Sequence, residues 1–168
     1  MKILVLGGAG HIGVNTCLEA KDRGFEVVCF DNFVRPKTEE NIPYLLAHGV
    51  EIVHGDVRNK EDFEKIPWIP DGIVHLAGQC GIPYSLVNPL YDFEVNTKGT
   101  INVLEYSRLN GKIPVAFAST NKVYTNMLND VKLSEEETRY DFVPAQFKYK
   151  DFVDDDGIRE NFPLDALG

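Results

Sequence analysis

Residues 7–13 have the sequence Gly-Gly-Ala-Gly-His-Ile-Gly, and this glycine-rich stretch decides the fold prediction. A short aliphatic run precedes it at 2–6, a segment with helical spacing of apolar residues follows at 14–23, and a second strand-like run follows at 26–30. Glycines let a backbone approach a diphosphate closely, and the first turn of the next helix presents free N–H groups to the anion. The stretch therefore predicts a dinucleotide-binding turn between a strand and a helix.

Strand-like and helical segments continue to alternate after this turn. Helices are predicted at 38–47, 60–66 and 92–110, and strands at 50–54, 72–76 and 114–118. The strand segments are almost continuously apolar, which is typical of parallel strands buried on both faces of a sheet. The alternation predicts an α/β fold with a doubly wound parallel sheet of the Rossmann type and right-handed crossovers.

The character of the sequence changes after residue 129. Residues 130–168 contain 11 acidic and 5 basic side chains, two prolines and no sustained periodicity. We therefore predict a dinucleotide-binding core over 1–129 and an acidic, partly irregular segment over 130–168.

Composition narrows the classes of partner and compartment. The 168 residues suffice for one domain, and 26 acidic against 17 basic side chains give a net charge of -9 without a basic stripe. Nucleic acid and anionic membranes are therefore not expected as partners. The apolar run at 3–6 is too short for a signal peptide or a membrane span, so a cytoplasmic location is expected.

Cysteines and histidines give no sign of a disulfide framework or a metal site. The three scattered cysteines, Cys17, Cys29 and Cys80, are expected to be small buried apolar residues. The four histidines lack the spacing of metal ligands, so no metal is predicted.

Two acidic residues at strand ends are candidates for contacts with a dinucleotide. Asp31 ends the second strand 18 residues after Gly13, where a carboxylate accepts hydrogen bonds from both ribose hydroxyls and repels a 2'-phosphate. This placement favours NAD over NADP. Asp56 follows the third strand, where it either meets the adenine edge or serves as a loop or helix-capping residue.

Polar residues also follow the fourth and fifth strands. His75 is interpreted as a structural residue rather than a catalyst, and the small residues at 76–79 would let backbone lie along a cofactor. Ser119 and Thr120 lie just beyond the fifth strand, at the edge where parallel sheets bind ligands. The alternative is that these two hydroxyls satisfy nearby backbone groups.

A set of motifs extends over nearly the whole chain: residues 7–13, Asp31-Asn32, Gly55-Asp56, 75–79, Ser85, Asn88-Pro89, Asp92, Asn96, 99–100, 102–105 and 119–124. With these motifs the sequence resembles the extended short-chain dehydrogenase/reductase family, which includes the sugar-nucleotide epimerases and dehydratases. Segments 137–140 and 157–165 are most similar to the members that epimerise CDP-linked hexoses at C2.

The resemblance implies that NAD is the cofactor. The glycines of the turn would hold the pyrophosphate, residues 31–32 the adenosine ribose and residues 56–57 the adenine, while residues 76–79 line the cofactor and Asn96 supports the helix behind it. Thr120 matches the catalytic Ser/Thr of the family, whose hydroxyl bonds the sugar oxygen that is oxidised. The cofactor-binding set implied by the resemblance is Gly7, Gly10, His11, Ile12, Gly13, Asp31, Asn32, Asp56, Val57, Leu76, Ala77, Gln79, Asn96 and Ser119.

The proton acceptor of the family is missing from this sequence. It is a Tyr followed four residues later by a Lys, and no tyrosine here has a Lys at that offset. A phenol with a pKa of about 10 needs such a neighbouring ammonium to act as a base at neutral pH. We therefore expect the N-terminal portion of a longer epimerase, truncated before the later strands, the catalytic helix and the substrate domain, and inactive alone.

The complete enzyme is expected to bind a nucleotide sugar, a CDP-hexose by resemblance, and to form a homodimer. A UDP-hexose 4-epimerase and a non-catalytic dinucleotide sensor are the alternatives. Dehydration of the sugar is disfavoured, because Asn121 and Lys122 stand where related dehydratases have an acid and a base.

Overall fold

The computed structural model describes residues 1–120, 123–124, 128, 132–143, 150–154 and 157–164. The chain forms two compact units, Met1–Ala118 and Ser119–Gly168. The two units divide the chain directly after the fifth strand, and Tyr124 packs against Phe162 within the second unit. The division into a dinucleotide-binding core over 1–129 and an acidic segment over 130–168 stays a prediction.

A five-stranded parallel sheet forms the centre of the first unit. Its strands are β1 (Lys2–Leu6), β2 (Glu26–Asp31), β3 (Glu51–His54), β4 (Gly72–His75) and β5 (Val115–Phe117). They lie in the order β3-β2-β1-β4-β5, and every neighbouring pair is parallel. The strand order changes direction between β1 and β4, which confirms the predicted doubly wound sheet of the Rossmann type.

Helices connect these strands. They are α1 (His11–Asp22), α2 (Ile42–Ala47), α3 (Ile82–Val87), α4 (Pro89–Phe93) and α5 (Gly99–Leu109), with 3-10 turns at Thr38–Asn41 and Lys60–Lys65 and a π-helical turn at Glu94–Lys98 between α4 and α5. The helix α3 was not predicted from the sequence. The long helix predicted at 92–110 begins earlier, at Pro89, because the side-chain oxygen of Asn88 accepts a hydrogen bond from the Tyr91 N–H and caps it.

Apolar layers cover both faces of the sheet, and alternate residues of β1 enter each layer. Leu4 and Leu6 pack in one cluster with Val103 of α5, whereas Val5 packs in the other with Cys17 of α1. All five side chains are fully buried. Burial on both faces explains why the strands are continuously apolar rather than alternating.

The cysteines occupy two different environments. Cys17 and Cys29 are buried, as predicted, and the hydrogen bond between their thiols together with burial raises the pKa of the Cys29 thiol. Cys80 is exposed, so the expectation of a buried residue was wrong. It lies in the loop between β4 and α3, where its sulfur accepts a hydrogen bond of 3.3 Å from Arg35.

The second unit contains short antiparallel pairs. They are β6 (Leu133–Glu135) with β7 (Tyr140–Phe142), and β8 (Val153–Asp154) with β9 (Gly157–Ile158). Val153 and Phe162 are buried in a small cluster of their own. The acidic segment predicted to be partly irregular therefore holds some regular structure. Within the described parts of the chain, no helix is both long enough and apolar enough to cross a membrane.

His75, at the end of β4, is a buried structural residue. Its side chain is 1% exposed, and its Nε2 lies 3.2 Å from the hydroxyl of Thr100. That hydroxyl donates its proton to the Asn96 carbonyl at 2.7 Å, so the ring N–H must be the donor to Thr100. Nδ1 has no hydrogen-bond partner among the described residues. Burial lowers the pKa of His75 below its ordinary value of 6.5, which favours a neutral ring.

We predict that the free energy of unfolding decreases as the pH falls from 7 to 5. Below about pH 6.5 the unfolded chain takes up a proton on His75 that the folded chain excludes, so acid favours unfolding. Urea denaturation at several pH values measures this dependence. His75→Gln keeps a donor at this position without a titrating ring, and it should flatten the dependence in this range. If the free energy of unfolding of the variant falls equally steeply with pH, His75 is not the source of the dependence.

Candidate functional site

The glycine turn after β1 brings backbone against backbone. Gly7 has a φ of +76°, and a Cβ at this position would lie 2.7 Å from the backbone nitrogen of Ala77. A Cβ on Gly13 would overlap the carbonyl oxygen of Gly7. The turn is closed by hydrogen bonds from Gly10 N–H to the Gly7 carbonyl (3.2 Å) and from Gly7 N–H to the Phe30 carbonyl (2.8 Å). The absence of side chains lets the turn pack against backbone, and Gly7 and Gly10 line a cleft at the start of α1.

Asp31, at the end of β2, is hydrogen-bonded to this turn. Its Oδ2 accepts the Ala9 N–H at 3.0 Å, and its Oδ1 accepts the Phe33 N–H at 2.9 Å. The neighbouring Asn32 shapes the same loop, because its Oδ1 accepts the Val34 N–H at 3.1 Å. The carboxylate that was predicted to bind ribose therefore lies beside the turn that was predicted to bind the diphosphate.

Asp56, in the loop after β3, is paired with Arg58. The arginine donates from Nε to Oδ1 at 3.0 Å and from Nη2 to Oδ2 at 2.7 Å, and Asn32 donates to Oδ2 at 2.8 Å. Burial alone would raise the pKa of the Asp56 carboxyl, but the hydrogen bonds from Arg58 and Asn32 outweigh this effect and lower it. Asp56 is thus held ionised and in one orientation.

The loop after β4 is fixed by a side chain from the π-helical turn. Asn96 accepts a hydrogen bond from the Gln79 N–H (2.8 Å) and donates one to the Gln79 carbonyl (2.9 Å). Asn96 therefore holds the loop after β4 against the π-helical turn, and its role in cofactor binding stays a prediction. A π-helical turn at such a position is often associated with a functional site.

These elements enclose a cleft of about 350 Å³ within the first unit. The predicted residues that line it are Gly7, Gly10, Asp31, Asn32, Asp56, Val57, Leu76, Ala77 and Gln79. Gly13 lies behind the turn, and Asn96 lies behind Gln79. His11 and Ile12 line a separate groove on α1 and not this cleft, so their contacts with a cofactor stay predictions.

Several lining residues were not predicted from the sequence. They are Phe30, Val34, Arg35, Pro36, Thr38, Tyr84, Tyr91 and Val95. The loop at 32–37 could have been suspected from its position directly after Asp31. Tyr84 and Tyr91 belong to α3 and α4, and no local pattern indicates that these helices approach the cleft.

The predicted residues after β5 belong to the second unit. Ser119 and Thr120 follow Ala118, whose N–H donates to the His75 carbonyl at 3.1 Å. Their roles stay predictions. Asn121 and Lys122, on which the argument against dehydration rests, lie outside the described residues.

Comparison with known proteins shows which family the chain belongs to. Residues 3–150 match the NAD dependent epimerase/dehydratase family. The chain belongs to this family. The match covers nearly the whole first unit and confirms the resemblance inferred from the motifs.

Members of the epimerase/dehydratase family resemble this chain in sequence and in fold. The CDP-paratose 2-epimerase of Salmonella typhi is 42% identical over 144 residues, which are 83% of this chain and 42% of that protein. A bifunctional UDP-glucose and UDP-xylose 4-epimerase of Pisum sativum is 36% identical over 73% of this chain and 37% of its own length. The chain therefore spans about two-fifths of these relatives.

A solved structure gives the same result for the fold. The UDP-glucose 4-epimerase of Thermus thermophilus, solved in complex with NAD, superposes with a TM-score of 0.65 and 34% sequence identity. The superposition covers 83% of this chain and 42% of that one.

We predict that Gly13→Ala destabilises the protein in the absence of any ligand. The added methyl group meets the Gly7 carbonyl, and overpacking of this kind costs about 1–3 kcal/mol. Urea denaturation measures the loss. Gly72→Ala is the matched control, since its Cβ would lie 3.4 Å from the flexible end of Ile3 and should change stability little. Equal stability of the two variants would show that the turn has room.

Proposed function

We propose that this chain is the NAD-binding part of a sugar-nucleotide epimerase whose complete form acts on a CDP-linked hexose at C2. One observation carries the proposal: the open glycine turn at the start of α1 and the Asp31 carboxylate line the same cleft and are joined by a hydrogen bond from Ala9. A diphosphate and the ribose attached to it need such neighbouring groups.

The lining residues fit NAD in chemistry as well as in position. Backbone N–H groups at the turn suit the diphosphate, Asp31 and Asn32 offer acceptors for ribose hydroxyls, and Asp56 with Val57 offers polar groups to adenine. When bound, NAD supplies the reversible hydride transfer that an epimerisation needs. The close approach of Gly7 to the Ala77 backbone supports the fit, because it brings the turn and the loop after β4 together along the cleft that both line.

The residues of this chain bind and orient rather than complete the reaction. Thr120 would hold the sugar oxygen through its hydroxyl. The proton acceptor of the family, a Tyr with a Lys four residues later, is not in the sequence. We therefore propose that these 168 residues bind the cofactor but do not turn over a substrate.

The assignment to a CDP-hexose is supported by two observations. The Salmonella typhi CDP-paratose 2-epimerase has 42% identity to this chain, and segments 137–140 and 157–165 resemble the CDP-hexose 2-epimerases. A UDP-hexose 4-epimerase is the second candidate, favoured by the relatives from Pisum sativum and Thermus thermophilus. The two candidates share the cofactor and differ in which carbon of the sugar faces it.

We also propose that the complete enzyme is a homodimer. Four large apolar side chains recur with helical spacing along α4 and α5 and are more than half exposed: Leu90, Phe93, Ile101 and Leu104. An apolar stripe of this kind is typical of a surface that a partner covers.

We predict that the chain binds NAD at least about tenfold more tightly than NADP, because Asp31 repels a 2'-phosphate. Isothermal titration with both dinucleotides measures the ratio. Asp31→Asn keeps an acceptor, removes the charge and should reduce the ratio. Asp22→Asn changes the net charge equally on an exposed part of α1 and should leave the ratio unchanged. A wild-type chain that binds neither dinucleotide would refute the proposed function.

We predict no epimerisation by the isolated 168-residue chain. NMR spectra of CDP-paratose incubated with the chain and NAD should stay unchanged, because no residue accepts the proton from the sugar hydroxyl. The Salmonella typhi CDP-paratose 2-epimerase under the same conditions is the positive control. Measurable turnover by the chain would overturn the argument from the missing Tyr and Lys.

A further inference from the structure

Arg58 contacts groups from two separate elements of the first unit. In the loop after β3, its Nε and Nη2 bind both carboxylate oxygens of Asp56, at 3.0 and 2.7 Å. Its guanidinium carbon lies 4.8 Å from the centre of the Tyr91 ring in α4, and its Nη1 lies 3.6 Å from Glu94. Arg58 therefore connects the end of β3 to the start of the long helix.

The ion pair with Asp56 is of the kind that fixes an orientation. The Asp56 side chain is 11% exposed and that of Arg58 is 27% exposed, so solvent screens the pair only in part. Two parallel N–H donors against one carboxylate restrict rotation as well as distance. The backbone N–H of Arg58 adds a further hydrogen bond to Oδ1, at 2.9 Å.

Arg58 also lies against an aromatic pair. The Tyr91 ring meets the Tyr84 ring edge-on, with centroids 5.4 Å apart and planes at 85°. A guanidinium beside an aromatic face is attracted to it and holds its orientation. Both tyrosines line the cleft, together with Asp56 and Val57.

The contacts place Arg58 behind the cleft rather than in it. Its partners Asp56 and Tyr91 line the cleft from different elements. Through these two contacts, one side chain sets the position of an acceptor and of an aromatic ring, the two groups that recognise the edge and the face of a purine.

We propose that Arg58 is a positioning residue for the adenine end of the cofactor, acting through Asp56 and Tyr91. The inference rests on the proposed function. It adds a residue that determines how strongly the site prefers adenine to another purine base. Asp56 favours the amino group of adenine, which is a hydrogen-bond donor, over the carbonyl oxygen that hypoxanthine carries at the same place. Arg58 maintains this preference by fixing the carboxylate.

Isothermal titration of the 168-residue chain with NAD and with nicotinamide hypoxanthine dinucleotide tests the proposal. The wild type should prefer NAD. Arg58→Met should weaken NAD binding by about tenfold or more, because the Asp56 carboxylate loses the two donors that fix its orientation. It should also remove most of the preference between the two ligands. Arg58→Lys restores the charge without the two parallel donors. Its affinity for NAD and its preference between the two ligands should lie between those of the wild type and of Arg58→Met.

Arg108→Met is the matched control. Arg108 also binds an acidic side chain at 2.7 Å, but it does so on the exposed surface of α5, where its side chain is 62% exposed. The control should retain both the affinity and the preference of the wild type. Circular dichroism during thermal unfolding shows whether each variant is folded, and Arg58→Lys carries the test if Arg58→Met does not fold.

The possible outcomes separate the two claims. If the wild type binds no NAD, the proposed function fails and the inference fails with it. If the wild type binds NAD but Arg58→Met has unchanged affinity, the proposed function stands and the inference is overturned. A wild type without preference, or a folded Arg58→Met that weakens both ligands equally, also overturns the inference, because the role of Arg58 is then only structural.

Discussion

The cleft depends on one steric constraint, which is the contact of backbone with backbone around the glycine turn. Gly7 lies so close to Ala77, and Gly13 so close to Gly7, that neither position has room for a Cβ. This contact sets where α1 begins relative to the ends of β1 and β4. It leaves Gly7 and Gly10, which have no side chains, lining the cleft just before α1 begins, and the end of a helix where free N–H groups lie is favourable to an anion.

Charge in the cleft is organised around two carboxylates at the ends of neighbouring strands. Asp31 is held by backbone N–H groups of Ala9 and Phe33, whereas Asp56 is held by the side chains of Arg58 and Asn32. The two acids therefore differ in the kind of donor that orients them. The backbone donors bring no formal positive charge to Asp31, whereas the arginine brings one to Asp56 and also fixes the direction of its carboxylate.

The groups that line the cleft all come from the part of the chain that matches the family. The family match extends over residues 3–150, and the cleft is built entirely from residues of the first unit. The chain spans 42% of the Salmonella typhi relative, and its 168 residues hold no Tyr with a Lys four positions later. The groups that the chain supplies to its cleft are therefore those of the glycine turn, the strand ends and the helices α3 and α4.

The alternation of β1 to β5 with helices, the parallel sheet, the glycine turn and the position of Asp31 were predictable from the sequence, whereas α3 and the short strands β6 to β9 were not. The predictable features follow from periodicity and from steric rules that act over a few residues. Only the tertiary structure decided three other features. They are the contact of Arg58 with Tyr91, the hydrogen bonds of Asn96 to the Gln79 backbone and the exposure of Cys80. Each depends on how residues distant in the sequence meet once the sheet has formed, and no local pattern records the register of that packing.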